Sequence, residues 1–191
     1  MSSCSARQPP TRSASCTSGG TGATASSLRS SDRPPSGPNV RLNLLLAPAN
    51  IFLDIPARTR EEVLVYVAQQ LERAGVVKRS MDLVDLLLDR ERLGATVVGE
   101  DTAIPHCKVP GLHGIVVAFA RVSEPIQFGP EGETARLFFF VLSPEEQPAA
   151  HLQVLANIAR LLRKPQVRQL FESAHDAEAL AAGLVRAEAR A

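Results

Sequence analysis

Apolar positions in this chain fall into stretches of two kinds. From residue 59 onward the spacing is helical. Thr59, with Glu62 three residues on, has the form of a capping box, and Val63, Leu64, Val67, Ala68 and Leu71 follow as one stripe. Gly75 stops that helix. Ser80 is the expected cap of a second helix, with Leu83, Val84, Leu87 and Leu88 facing inward, Asp85, Asp89 and Arg92 on the wet side, and Gly94 at its end. The pattern then changes. Ile115–Phe119 and Leu137–Leu142 are nearly unbroken apolar runs rich in β-branched and aromatic residues, which predicts strands buried on both faces. Gly129-Pro130-Glu131-Gly132 marks the exposed connection between them. After Ser143-Pro144-Glu145-Glu146 and the interruption at Pro148, a helix is expected from about Ala149, with Leu152, Leu155, Ile158, Ala159 and Leu162 as its stripe and His151 in its first turn. Pro165 opens a further helix containing Val167, Leu170 and Phe171, and Asp176 caps a last one containing Leu180, Leu184 and Val185. Ahead of all these, Ile51-Phe52-Leu53 has strand character between Pro48 and Pro56. Strands apolar on both sides, interleaved with amphipathic helices, call for an α/β fold with the sheet covered on both faces.

Composition divides the chain of 191 residues in two. Residues 1–39 are rich in serine, glycine and proline, and Leu28 is the one large apolar side chain there after Met1. Such a segment cannot bury enough surface to offset its ordering entropy, so a disordered extension is expected, with the folded body over 42–186. Its Ser/Arg-rich, acid-poor character has the composition of a transit peptide, but no amphipathic pattern accompanies it. The extension carries Arg7, Arg12, Arg29 and Arg33 against Asp32, so the body is slightly acidic although the whole chain is at +1. No basic stripe marks the body, which argues against nucleic acid. No apolar run approaches the roughly 18 residues that span a bilayer. Cys107 is the body's lone cysteine, so no disulfide framework is expected. A cytoplasmic protein fits these features.

The candidate chemistry gathers at Thr96-Val97-Val98-Gly99-Glu100-Asp101-Thr102-Ala103-Ile104-Pro105-His106. A glycine-punctuated loop ends on a histidine whose preceding proline restricts the backbone. Histidine is nucleophilic and largely neutral near pH 7. Arg90 lies at the end of the second helix, Thr96 offers a hydroxyl, and His151 comes from a separate helix start. Together these four would surround a phosphoryl group: one ring attacks, a second donates a hydrogen bond, a guanidinium matches phosphate oxygens, and a hydroxyl completes the shell. His106, Cys107, His113 and His151 are also metal-ligand types, but their spacing fits no strong zinc pattern, so neither a metal nor a small cofactor is expected. His113 and His175 read as exposed loop residues. Cys107 adjoins His106 in an extended segment and should point the other way.

Leu88-Asp89-Arg90-Glu91-Arg92-Leu93-Gly94-Ala95-Thr96, then Gly99 and Ala103-Ile104-Pro105-His106, strongly resemble the type-2 IIA component of the bacterial phosphoenolpyruvate-dependent phosphotransferase system, the fructose/mannitol/nitrogen-regulatory group. Val141-Leu142-Ser143-Pro144, His151-Leu152, Leu155, Ile158-Ala159 and Asp176–Leu180 resemble the same family's second half. The similarity runs over roughly 44–184. It implies a mixed β-sheet flanked by helices on both faces. It also implies a histidine that accepts a phosphoryl group from a phosphorylated small histidine phosphocarrier protein and passes it on. Carried over, His106 is the phosphorylated residue, reacting at Nε2, His151 is the second active-site histidine and Arg90 the family's arginine. This chain departs from the family at Thr102 and Cys107, where glycine is usual; both add bulk beside the site. A free-standing body resembles the nitrogen-regulatory branch, whose phosphorylation state is a signal to regulatory protein targets. A sugar-specific IIA that passes phosphate to a IIB transporter component, and a binding domain that has lost transfer, are the alternatives.

Overall fold

The computed structural model describes residues 41–189, and the expected extension over 1–39 lies outside them. Among the described residues a six-stranded mixed sheet is sandwiched between helices. A short turn of helix, α1 (Leu42–Leu45), and a single 3-10 turn (Pro48–Asn50) lead into β1 (Ile51–Phe52). Two amphipathic helices packed against each other follow, α2 (Arg60–Arg73) and α3 (Ser80–Arg92). Three short strands come next: β2 (Val97–Gly99), β3 (Thr102–Ala103) and β4 (His106–Lys108). The long hairpin β5 (Val116–Gln127) and β6 (Thr134–Ser143) precedes α4 (Pro148–Leu162), α5 (Pro165–Ser173) and α6 (Ala177–Ala189). The sheet runs β1-β5-β6-β3-β2, and β4 also pairs with β6. β5 and β6 are antiparallel; β1 on β5, and β3 and β4 on β6, are parallel.

The double-faced burial predicted for the two apolar runs is what the sheet shows. Along β6, Phe138, Phe140 and Leu142 pack with α2 and α3, while Leu137, Phe139 and Val141 pack with α1, α4, α5 and α6. β5 divides in the same way, with Ala118, Ala120 and Val122 on one side and Val117 and Phe119 on the other. Phe119, Phe139 and Phe171 meet at ring-centroid distances of 4.8–4.9 Å beneath the second helical layer. β5 is longer than its apolar run. It continues past buried Arg121, and its register with β6 shifts between Arg121 and Ile126, across Pro125.

Helix ends and inner faces follow the sequence with four corrections. Thr59 Oγ1 accepts from Glu62 N, but the Glu62 carboxylate returns to Arg58 N at 2.7 Å, one residue before the cap. Ser80 does not cap α3. It is the first helical residue, Arg79 is the cap position and makes no capping bond, and the Ser80 hydroxyl instead serves Glu72, holding that carboxyl below its ordinary range. The stripe of α4 is rotated from the expected one. His151, Val154, Asn157, Ile158, Leu161 and Leu162 are buried, and Leu152 is 64% exposed. Val185 of α6 likewise faces outward, its inner face being Leu180, Gly183 and Leu184. Asp176 caps α6 as read, accepting from Ala179 N at 2.8 Å. No helix among the described residues is long and apolar enough to cross a membrane.

Candidate active site

β3 and β4 lie along the same edge of β6, and Ile104-Pro105 is the jog between them. Proline has no N–H to give a ladder, and here its carbonyl accepts from Val141 N at 3.0 Å. The jog also turns the Ile104 carbonyl out of the sheet toward the first ring of β4. His106 Nδ1 lies 2.7 Å from that oxygen. A carbonyl can only accept, so Nδ1 carries the proton. On the opposite edge of the ring, Arg90 Nε donates to His106 Nε2 at 3.0 Å. A nitrogen that accepts from a guanidinium must present a lone pair. Both contacts therefore describe the same neutral tautomer, with the lone pair at Nε2. Burial is the main cause pushing the His106 pKa below its ordinary 6.5, with the Arg90 charge adding to it and the Ile104 bond opposing it.

The second histidine arrives from the far side of β6. Ser143 ends that strand, and the chain turns through Pro144–Gln147 into α4, which places His151 in the helix's first turn. The His151 ring is buried, its Nδ1 2.8 Å from Ser143 Oγ, and its centroid is 5.3 Å from that of His106. Desolvation lowers its pKa, and His106, Lys108 and Arg90 lower it further. Donation from Nε2–H into the space beside His106 requires that the Ser143 hydroxyl donate to Nδ1. The two rings, with the Arg90 guanidinium bonded to one and the Arg90 and Lys108 charges acting on the other, make an arrangement that can receive an anion.

The structure thus brings His106, His151 and Arg90 together. Thr96 it places elsewhere: the residue is buried, and its hydroxyl is given to the Glu91 carboxylate. Its backbone carbonyl accepts from Ile104 N at 2.9 Å. Arg90 also donates from Nη1 to Gly94 O at 3.1 Å, which braces the guanidinium against the turn after α3. Cys107 points away from the rings into the core under α2 and α3, and burial pushes its thiol up to about 12. His113 and His175 are exposed, and among the described residues no three His, Cys, Asp or Glu side chains cluster so as to hold a metal ion. The sequence reading missed Lys108 and Ser143. Lys108 follows His106 by two in a strand, and period-two alternation was the signal that could have found it. It pairs in register with Ser143. The serine reads as a helix-start residue in sequence, and its partnership with a ring eight positions on depends on how the β6–α4 turn folds.

Behind the site, Gly99 (φ 92°), Glu100 (φ 49°) and Asp101 (φ 53°) are all left-handed. Side chains other than glycine resist this conformation, so outside contacts must hold it. Arg168 of α5 grips Glu100 through its carboxylate and carbonyl. Thr134 binds the Asp101 carboxylate, and Arg136 and Leu137 N–H groups bind its carbonyl.

The chain is also similar to known proteins. Residues 44–186 match the family described as "Phosphoenolpyruvate-dependent sugar phosphotransferase system, EIIA 2". The chain belongs to that family. It is 38% identical over 138 residues to a "Nitrogen regulatory protein" of Bradyrhizobium diazoefficiens, covering 71% of this chain and 89% of that one. A protein of the same name from Pseudomonas aeruginosa is 32% identical, with 74% and 92% covered. Among solved structures, nitrogen regulatory protein IIA-Ntr of Neisseria meningitidis superposes with a TM-score of 0.68 at 30% identity, covering 75% of this chain and 98% of that one. The mixed sheet with helices on both faces is therefore the EIIA type-2 fold.

Proposed function

We propose that this EIIA type-2 protein is a histidine phosphoryl carrier. In this reading it takes a phosphoryl group from a phosphorylated small histidine phosphocarrier protein onto Nε2 of His106, and its phosphorylation state acts as a nitrogen or metabolic signal. The observation that carries the reading is the doubly determined tautomer of His106: Nδ1–H on the Ile104 carbonyl, and a lone pair at Nε2 under Arg90.

The step follows from those contacts. The Arg90 N–H leaves the Nε2 lone pair as the donor's phosphohistidine approaches, and the guanidinium turns onto the equatorial phosphoryl oxygens. Nε2 attacks in line. The new N–P bond forms as the donor's N–P bond breaks, and that electron pair returns to the donor ring. Positive charge arising on His106 is met at Nδ1–H by the Ile104 carbonyl. Nε2–H of His151 and the Lys108 ammonium face the transferring oxygens, where they stabilise charge. No step needs a metal or a small cofactor, and the reading sets this work in the cytoplasm. The regulatory branch is supported by the two nitrogen-regulatory relatives, most of whose length this chain spans. Onward transfer to a IIB component is the second reading. It is favoured by 34% identity over 120 residues to a fructose-specific EIIA component of Haloferax volcanii. It is also favoured by similarity (26% identity, TM-score 0.61) to the IIA chain in a complex of mannitol IIA with phosphorylated IIB from Escherichia coli.

Incubation with phosphoenolpyruvate, the first enzyme of such a relay and the small carrier tests the reading. It expects one acid-labile, base-stable phosphoryl group per chain at Nε2 of His106. Absence of label on correctly folded protein would refute it and leave a binding domain without transfer.

A further inference from the structure

Glu91 has no place in the step above, yet the fold takes its carboxylate half out of water at the last turn of α3. Burial drives its pKa up, opposed mainly by its bonds to Thr96. Among the described residues, none of the ion pairs includes it. A surface helix end holds a carboxylate at much lower cost in water, so the placement needs a reason. What Glu91 holds is Thr96. One carboxylate oxygen accepts the Thr96 N–H at 3.3 Å and the other accepts its hydroxyl. Thr96 O accepts the Ile104 N–H at 2.9 Å, and Ile104 O accepts Nδ1–H of His106 at 2.7 Å. The neighbouring Arg90 meets the same ring at Nε2. The end of one helix thus reaches both nitrogens of the reacting imidazole. It does so directly through Arg90, and through Thr96 and Ile104 from Glu91.

Resting on the phosphoryl-carrier reading, we propose that Glu91 and Thr96 are positioning residues: their paired hydrogen bonds hold the Ile104 carbonyl where it fixes the tautomer and rotation of His106. Neither touches the phosphoryl group. Loss of the pair should leave the ring present and the donor able to dock, but with Nε2 misprotonated or misaimed for part of the time. A misplacement of about 1 Å at a reacting atom can cost up to roughly 10²-fold in rate.

The test compares Thr96→Val, Thr96→Ser, Glu91→Ala, Glu91→Gln and the Glu91→Ala/Thr96→Val double variant, with rates normalised to folded protein. Nitrogen-15 NMR of the unphosphorylated proteins should show His106 as a single Nδ1–H tautomer in the wild type and as a mixture in Thr96→Val and Glu91→Ala. Single-turnover labelling should slow about 10-fold in those two, at an unchanged half-saturating carrier concentration. The conservative Thr96→Ser and Glu91→Gln, which keep hydroxyl and acceptor, should restore both readouts. The double variant should be no slower than either single one, because all interrupt one chain of contacts. Where the valine does not pack, Thr96→Ala takes its place. Unchanged tautomer and rate, losses that track only the folded fraction, or additive losses would each overturn the proposal. Failure of the wild type to be labelled at all would count against the carrier reading instead, and the NMR comparison would still decide the role of the pair.

Discussion

A neutral imidazole with one nitrogen tied to a carbonyl has a single nitrogen left to react, and in His106 that nitrogen faces Arg90. His106→Ala should therefore remove carrier-dependent label completely while the fold persists, because the ring is half-exposed and its loss opens no core cavity. Label on the alanine variant would move the reactive centre elsewhere. His151→Ala should keep a slow residual reaction, on the order of 10²-fold below wild type, as expected for loss of one donor to a charged transition state. A wild-type rate would remove His151 from that role. The pH dependence has a definite sign. Both histidines titrate below the ordinary 6.5 in the folded protein, so folding opposes their protonation. The stability they permit is in full above 6.5 and declines as pH falls through the window beneath it. An NMR titration should find both midpoints under 6.5. Phosphorylation of His106 should then raise that of His151, since it adds a dianion beside a ring on which the present charges act only to lower the pKa. At this scale the sequence was informative about residue type and poor about partners. A histidine after Ile-Pro is legible as a candidate reactive centre, and the fold sets His151 and Arg90 beside it. The Thr96 hydroxyl reads as a phosphate ligand until the fold shows Glu91 already holding it.

Elements were legible where one physical cause set them. The runs in β5 and β6 alternate between two cores, so unbroken apolarity was a sufficient signal of their double burial. The rotation of α4 had no such signal. Counting Leu152 into its stripe follows hydropathy, while Leu155 does pack against the core. The helix instead turns to seat His151 against Ser143 and bury Val154 and Asn157, leaving Leu152 outside. Polar tertiary contacts also explain why β5 runs past its apolar stretch. Arg121, 2% exposed, forms a two-pronged pair with Asp54 and donates to the carbonyls of Phe171, Glu172 and Ala174, closing the C-terminal end of α5. Nothing local in the sequence joins residues 54, 121 and 171–174. Arg121→Met should strand those carbonyls without donors. The cost should be about 3 kcal/mol, toward the low end for a broken buried pair because Asp54 is half in water and can rehydrate. For a body of this size that corresponds to a fall in Tm of roughly 6–12 °C, read by thermal unfolding. A shift within 1–2 °C would mean that water replaces the guanidinium. Asp54, held below its ordinary 3.8 by Arg121, lends stability that is present above that value and lost as pH falls through the lower folded one.

Across the whole molecule, the three layers converge on one end of β6. α3 brings Arg90 from one side of the sheet, α4 brings His151 from the other, and β4 inserts His106 between them. A phosphoryl group on His106 therefore changes the charge at a point where both helical layers meet the surface. Lys108, Leu93 and Leu152 are exposed on elements that carry or adjoin the site residues. Adding a charge near −2 there should switch binding for any partner that covers the rings. The expected outcome is a set of native-cell partners whose capture differs between the phosphorylated protein and a His106→Ala variant, with the phosphoryl group remaining on this chain for the duration of the assay. The readout is quantitative pulldown alongside the decay of label when purified partners are added. Rapid stoichiometric loss of label to a IIB protein, with sugar phosphorylation dependent on this chain, would assign the site to transport instead. The two outcomes separate on one physical quantity. A signal requires the Nε2–P bond to outlast the encounter with the partner, and a relay requires the partner's nucleophile to reach the phosphorus in line from the side opposite His106.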